Sequence, residues 1–149
     1  MAPIAYPPAA GSSVSSDSSK ILYSDVVVPV APALPLGTAV AVFDNAGTLE
    51  FAKCGANAVD YPDAFAGFMN AAGVAGQTAA IITGRGSKVT PIVTGAIPLV
   101  VGDNVYLSTT AGEVTQTAPA GAGVTVLRVG NAITTTKMVL TTDFYTLVT

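Results

Sequence analysis

From residue 37 onward the apolar positions fall in short alternating runs separated by Gly, Asn and Asp, the period-two pattern of half-buried β-strands. Residues 102–117, GDNVYLSTTAGEVTQT, show the pattern clearly. Val105 and Leu107 alternate with polar neighbours, small residues turn the chain, and Val114 resumes the alternation. Much the same design stands earlier, at residues 37–52, GTAVAVFDNAGTLEFA. There Gly37 matches Gly102, Val40 matches Val105, Val42 matches Leu107, Ala46 matches Ala111, Gly47 matches Gly112 and Leu49 matches Val114. Two such hairpins in register indicate a repeated β element whose copies close a small barrel or sandwich, with loops 44–47 and 109–112 at its rim. Gly47 and Gly112 are the structural turn glycines, standing where the backbone needs a positive φ.

Further strands are expected at residues 79–83, 89–94, 98–101, 124–129 and 137–142, with Pro91 confining its run to an edge or bulge. The reading is all-β with about eight strands, and the apolar ending 144–148 is expected to pack. One segment, residues 60–73, carries helix signals instead. Asp60 or Tyr61 would cap it, Pro62 suits a first turn, and Asp63 complements the dipole. Phe65, Phe68, Met69 and Ala72 follow at helical spacing and Gly73 ends the run, so one short helix lying over the sheet is expected.

Residues 1–36 have a different texture. Pro3, Pro7, Pro8, Pro29, Pro32 and Pro35 block helix and central strand, and the serine run 12–19 cannot bury enough apolar surface to fold alone. The division expected is an extended Pro/Ser-rich arm, 1–36, and a β-rich domain, 37–149. Ile4, Tyr6, Pro7, Pro8, Ile21, Leu22 and Tyr23 are the apolar points through which such an arm would contact a neighbouring subunit.

Composition narrows the function. Only 10% of residues are charged, against about 25% in ordinary soluble domains, which suits a subunit standing among neighbours. The six basic residues are scattered and the net charge is −3, so neither nucleic acid nor an anionic membrane surface is an expected partner. The N-terminus lacks a basic region followed by an apolar run, and no stretch is long and apolar enough for a membrane helix.

There is no His, which removes Ser-His and Cys-His nucleophile pairs and His-based zinc sites. Cys54 is alone, so it reads as a small core residue. Ser87 and Lys88 are adjacent, and adjacent strand residues point to opposite faces. TGRGSKVT, residues 83–90, misses the phosphate-loop spacing and reads as a glycine-rich β-turn. Turn or cap roles account for Asp44, Asp60, Asp63 and Asp103. No enzyme, cofactor or metal is expected.

The run TGAIPLVVGDNVYLSTTAGEVTQTAPAGAGVTVLRVGNAITTTKMVLTTD, together with the earlier GTAVAVFDNAGTLEFA, resembles the capsid decoration, or cement, proteins of tailed phages. The similarity spans roughly Gly37 to Asp143 and leaves out the Pro/Ser-rich arm. It implies a β-rich subunit, commonly a homotrimer, bound to the major capsid protein on the outer surface of the head and stabilising the shell against internal DNA pressure. The implied localisation is the virion, after assembly in the host cytoplasm. Similar Val- and Thr-rich hairpins occur in head-fibre, tail and baseplate proteins, which stand as the alternative. A glycan-binding module is a further one, and it would need an exposed aromatic cluster.

Overall fold

Alternation along the chain resolves into two sheets. The structure, a computed structural model, describes residues 20–147, with side chains described for 26–141. Strands β1 (Lys20–Val27), β2 (Ala39–Asn45), β3 (Thr48–Lys53), β4 (Phe65–Met69) and β5 (Thr78–Ile82) close into a barrel in the order β1-β3-β2-β4-β5. Closure comes from β1, which runs parallel to β3 and antiparallel to β5. Strands β6 (Lys88–Val89), β7 (Asn104–Leu107), β8 (Val114–Thr115), β9 (Thr125–Ala132) and β10 (Met138–Leu147) form a second sheet in the order β6-β10-β9-β7-β8. The fold is thus all-β, and it joins a closed barrel to an open sheet. Residues 83–87, the glycine-rich turn expected from the sequence, link the two.

Two apolar clusters follow from the alternation. Val26, Leu34, Val40, Phe51, Met69 and Ile81 form one, drawn from the barrel strands and the crossing before β2. Their sequence neighbours Ala39, Ala41, Phe68 and Ile82 belong to the other, where they meet Val105, Leu107, Val129, Met138 and Leu140 of the second sheet. Successive strand residues point to opposite faces, so the barrel is filled by one set of side chains and packed against the sheet by the other. Ala39 and Ala41 are small, which lets the sheet approach the barrel closely; both are fully buried.

The helix expected over residues 60–73 is absent. Two single 3-10 turns, Ala58–Asp60 and Pro62–Ala64, occupy its start, and Phe65–Met69 is strand β4. Tyr61 between the turns has φ 56°, which breaks any continuous helix, and no capping side-chain bond forms. The helical spacing has a specific origin. Val40 pairs with Gly67 and Ala41 with Phe65, so β4 carries a bulge that inserts an extra residue. The bulge brings Phe65 and Phe68, three residues apart, into edge-to-face contact at 5.5 Å in one cluster. Ala66 and Met69 face the other cluster. Gly67 is required there: its φ is 155°, and a Cβ would collide with the carbonyl oxygen of Ile82.

The division at residue 36 is also displaced. From Lys20 the chain is already in the barrel, with Lys20, Ile21 and Leu22 opposite Ile82, Ile81 and Ala80. The prolines at 29, 32 and 35 lie in the crossing between β1 and β2, which drops Leu34 into the core. Of the other expected strands, 89–94 shortens to Lys88–Val89, and 98–101 is not a strand. Proline cannot donate to a ladder, and Pro91 and Pro98 hold these stretches as loop.

Both repeated hairpins form, one in each sheet. In β2–β3, Asn45 pairs with Thr48, leaving Ala46 and Gly47 as a two-residue turn with φ 53° and 93°. That pair of positive angles is the type I′ geometry favoured by the twist of hairpins. In β7–β8, Leu107 pairs with Val114 across a longer loop. The registers differ by two residues, because Val42 pairs with Phe51, not with Leu49, the counterpart of Val114.

The tip of the second hairpin rests on the base of the first. Gly112 N–H donates to the Cys54 carbonyl at 2.7 Å, and its own carbonyl accepts from Ala39 N–H at 3.0 Å. Gly112 has φ 87°, and a Cβ would stand 3.0 Å from Thr38 Cγ2, whereas nothing lies within 4 Å of one at Gly47. Gly47→Ala should therefore cost about 1 kcal/mol, the left-handed backbone term alone. Gly112→Ala should cost roughly twice that or more, since crowding is added to the same term. Denaturant unfolding of the two variants measures the difference. Equal losses would mean that the β7–β8 loop is not docked on the barrel.

Candidate interaction surface

From Val89 to Gly102 the chain carries no charge. This segment leaves β6, passes a 3-10 turn at Thr94–Ala96 and crosses the end of the second sheet before β7. Gly95 and Ala96 both take positive φ, 77° and 54°, so the path is sharply turned. Leu99 is its anchor, 3% exposed in the larger cluster, and its N–H donates to the Thr135 carbonyl at 2.9 Å. Gly102 N–H donates to the Ala132 carbonyl at 2.8 Å.

Between those points Gln116 acts as a peptide surrogate. Val100 N–H donates to Gln116 Oε1 at 2.7 Å, and Gln116 Nε2 donates to the Val100 carbonyl at 2.9 Å. Thr94 Oγ1 donates to Ser108 Oγ at 2.7 Å, tying the start of the segment to the β7–β8 loop. The loop is therefore held by its backbone and by Leu99, while Ile97, Val100 and Val101 face out. Ile97, Val100 and Val101 are 61%, 60% and 58% exposed, with Ile133 of the adjacent β9–β10 turn at 36%. An apolar group fixed in place and left in water is the chemistry of a contact surface.

The nucleophile candidates lie elsewhere and are engaged. Ser87 is buried and its hydroxyl donates to the Thr83 carbonyl at 2.8 Å, while Lys88 beside it is exposed. Cys54 is fully buried, and its thiol donates to the Tyr61 carbonyl at 3.4 Å. Burial, with smaller contributions from the Asp60 and Asp63 carboxylates, pushes that thiol up to about 12. Asp44 accepts from Gly47 N–H at 2.7 Å, so it serves the β2–β3 turn. No group of three or more potential metal ligands occurs among the described residues. No helix among them is long and apolar enough to cross a membrane.

Phe43 and Tyr61 stack at 5.2 Å, with Phe43 half-buried. Among the described side chains they form a stacked pair, not the exposed aromatic cluster that a glycan site would need. Of the expected arm contacts, Ile4, Tyr6, Pro7 and Pro8 lie outside the described residues. Ile21, Leu22 and Tyr23 belong to β1, where Ile21 and Leu22 pair within the chain. The sequence does not mark this loop as exposed, because IPLVV reads equally well as a buried strand; Pro98 and the flanking glycines are the available signal. No protein-family model matches the chain, and no curated protein sequence matches it.

Replacing Gln116 with Ala should free the Val100 amide. Hydrogen exchange at Val100 should accelerate while the β9–β10 amides keep their protection, with about 1 kcal/mol of stability lost. Unchanged exchange at Val100 would show that the Gln116 clamp does not hold the loop. Cys54 supports a second expectation. Its folded pKa is raised, so the unfolded chain loses the proton near the ordinary value of 9.0 while the folded chain keeps it to about 12. The proton-linked contribution is constant below pH 9 and stability falls above it, by at most about 1.4 kcal/mol per pH unit. Unfolding measured at pH 8 and pH 10.5 should show a steeper loss for the native chain than for Cys54→Ala. Parallel losses would mean that the thiol titrates freely.

Proposed function

We propose that this protein is a structural component of a tailed-phage particle, a decoration protein that binds the outer surface of the capsid as a homotrimer and stabilises the shell. The observation that carries the reading is the charge-free loop at the end of the second sheet. Leu99, Thr135 and Gln116 hold it rigid, and it presents Ile97, Val100 and Val101 to solvent. A preorganised surface loses little entropy on docking. Three copies on one trimer then turn modest individual contacts into firm attachment through effective concentration. The family resemblance of the two hairpins supports the same reading, and their partner on the particle would be the major capsid protein. Such a role needs contact area and a sturdy fold, and it asks for no reactive group, nucleic acid or membrane.

Light-scattering mass and cosedimentation with purified, undecorated heads test the proposal. The native chain should form trimers that pellet with heads, in hundreds of copies per particle. A double variant, Val100→Glu with Val101→Glu, should stay folded and remain largely in the supernatant. A native chain that does not pellet would overturn the reading, and full attachment of the double variant would remove the loop from it.

A further inference from the structure

The β1–β2 crossing and the β4–β5 loop leave the barrel at the same end and lie side by side there. Val28 N–H donates to the Gln77 carbonyl, Gly76 N–H to the Val28 carbonyl and Gly73 N–H to the Leu34 carbonyl, each at 2.8 Å. Gly37 N–H donates to the Met69 carbonyl at 3.0 Å. Both segments come from long runs of chain without charge, residues 26–43 and 64–84. Residues 30–33, 35, 36, 71, 72 and 74–78 are exposed, and all but Gly76, Gln77 and Thr78 are Ala, Val, Leu or Pro. Val30 is 88%, Val74 64% and Leu36 56% exposed. The fold thus displays an apolar surface on the barrel besides the loop of the second sheet. Monomeric proteins rarely leave a broad apolar surface open to water.

The chemistry of this end selects its partner. Its backbone is pinned, and Ala and Pro have no rotamer freedom to lose, so covering it costs little ordering. A charged partner surface would lose its hydration here and find no counter-charge. A second copy of this chain avoids that cost. With a net charge of −3, copies repel through their charged faces, whereas two uncharged ends meet without opposing like charges. Glu50 and Lys53, one acid and one base, border the end across a depression that they line with Pro29 and Pro32, so this rim carries no net charge. The crossing also reaches the charge-free loop, since the Gly37 carbonyl accepts from Ile92 N–H at 3.3 Å. Copies joined at the barrel end keep one surface for each other and the adjoining loop for a common target.

We infer that the barrel end built from residues 28–36 and 70–78 is the surface through which copies of this chain associate, carried by Val30, Leu36 and Val74. The inference goes beyond the reading above, which asks for a homotrimer without locating its contact, and it rests on that reading only in expecting copies to associate.

Sedimentation velocity of the full-length chain over a range of concentrations tests it. The native chain should sediment as an oligomer, and Val30→Lys with Val74→Lys should sediment as a monomer at the same concentrations. Both positions are exposed in the single chain, so that monomer should keep the native circular dichroism. A milder pair, Val30→Ser with Val74→Ser, inserts no charge and decides the matter should the lysine pair unfold. It should raise the concentration at which the oligomer dissociates by roughly tenfold or more. The loop variant Val100→Glu with Val101→Glu should sediment like the native chain. A monomeric native chain would overturn the inference, as would native association in the serine pair or in a folded lysine pair. Dissociation of the loop variant would also overturn it, by moving the self-contact to the second sheet. Binding to undecorated heads separates the two readings. A native monomer that binds heads would leave the virion reading without this contact. A native oligomer that ignores heads, yet dissociates in the lysine pair, would leave this contact without the virion reading.

Discussion

The backbone of Gly112 holds the two halves of this protein in place. Its N–H meets the Cys54 carbonyl, its carbonyl meets the Ala39 N–H, and Cys54 N–H donates to the Ala39 carbonyl at 2.9 Å. Three backbone segments, the start of β2, the end of β3 and the β7–β8 loop, are thus closed into one ring of hydrogen bonds. Ala56 N–H to the Ser108 carbonyl and Thr125 N–H to the Ala56 carbonyl, both 2.8 Å, continue the same seam. Glycine suits that position in both angle and space, since its φ is 87° and a Cβ would stand 3.0 Å from Thr38 Cγ2. With it in place, Ser108 is positioned to receive Thr94, and the charge-free loop takes its path from that contact.

The apolar packing depends on the same placement. Along parts of β2, β4 and β5 both faces are buried, one inside the barrel and one against the sheet, and the two faces ask for different sizes. Val40 and Phe51 fill the closed interior, while Ala39 and Ala41 lie flat beneath Leu107, Val129 and their neighbours. Enlarging an alanine in that layer would push the sheets apart and stretch the Gly112 ring at the same time. Packing and hydrogen bonding therefore constrain each other, as expected where interiors are filled to crystalline density.

Much of this was legible in the sequence, for local reasons. Hairpin β2–β3 is marked by β-prone runs either side of an Ala-Gly turn, β7 by a period-two run, and β5, β9 and β10 by short apolar or β-prone runs bounded by Gly or polar residues. The failures have physical causes. A bulge at Gly67 mimics helical spacing, because one inserted residue makes positions three apart face the same way. Strand β1 hides in a Ser/Pro-rich setting, and its place in the barrel comes from pairing with β3 and β5, distant in the chain. The charge-free loop was harder still: IPLVV carries no alternation, and the Leu99 anchor and the Gln116 clamp decide which of its side chains face out.

The two hairpins differ in register by two residues, and this has a consequence for how such a chain can change. A slip of one would turn every inward side chain to the outside. A slip of two leaves each side chain on its face and alters only the length of the connecting loop. The β2–β3 hairpin has a two-residue connection, while the β7–β8 hairpin frees enough chain to carry Gly112 across to the barrel. Hairpin tips of this protein are therefore the places where length can vary in even steps without cost to the core. A tip lengthened in that way becomes a lever long enough to grip another layer.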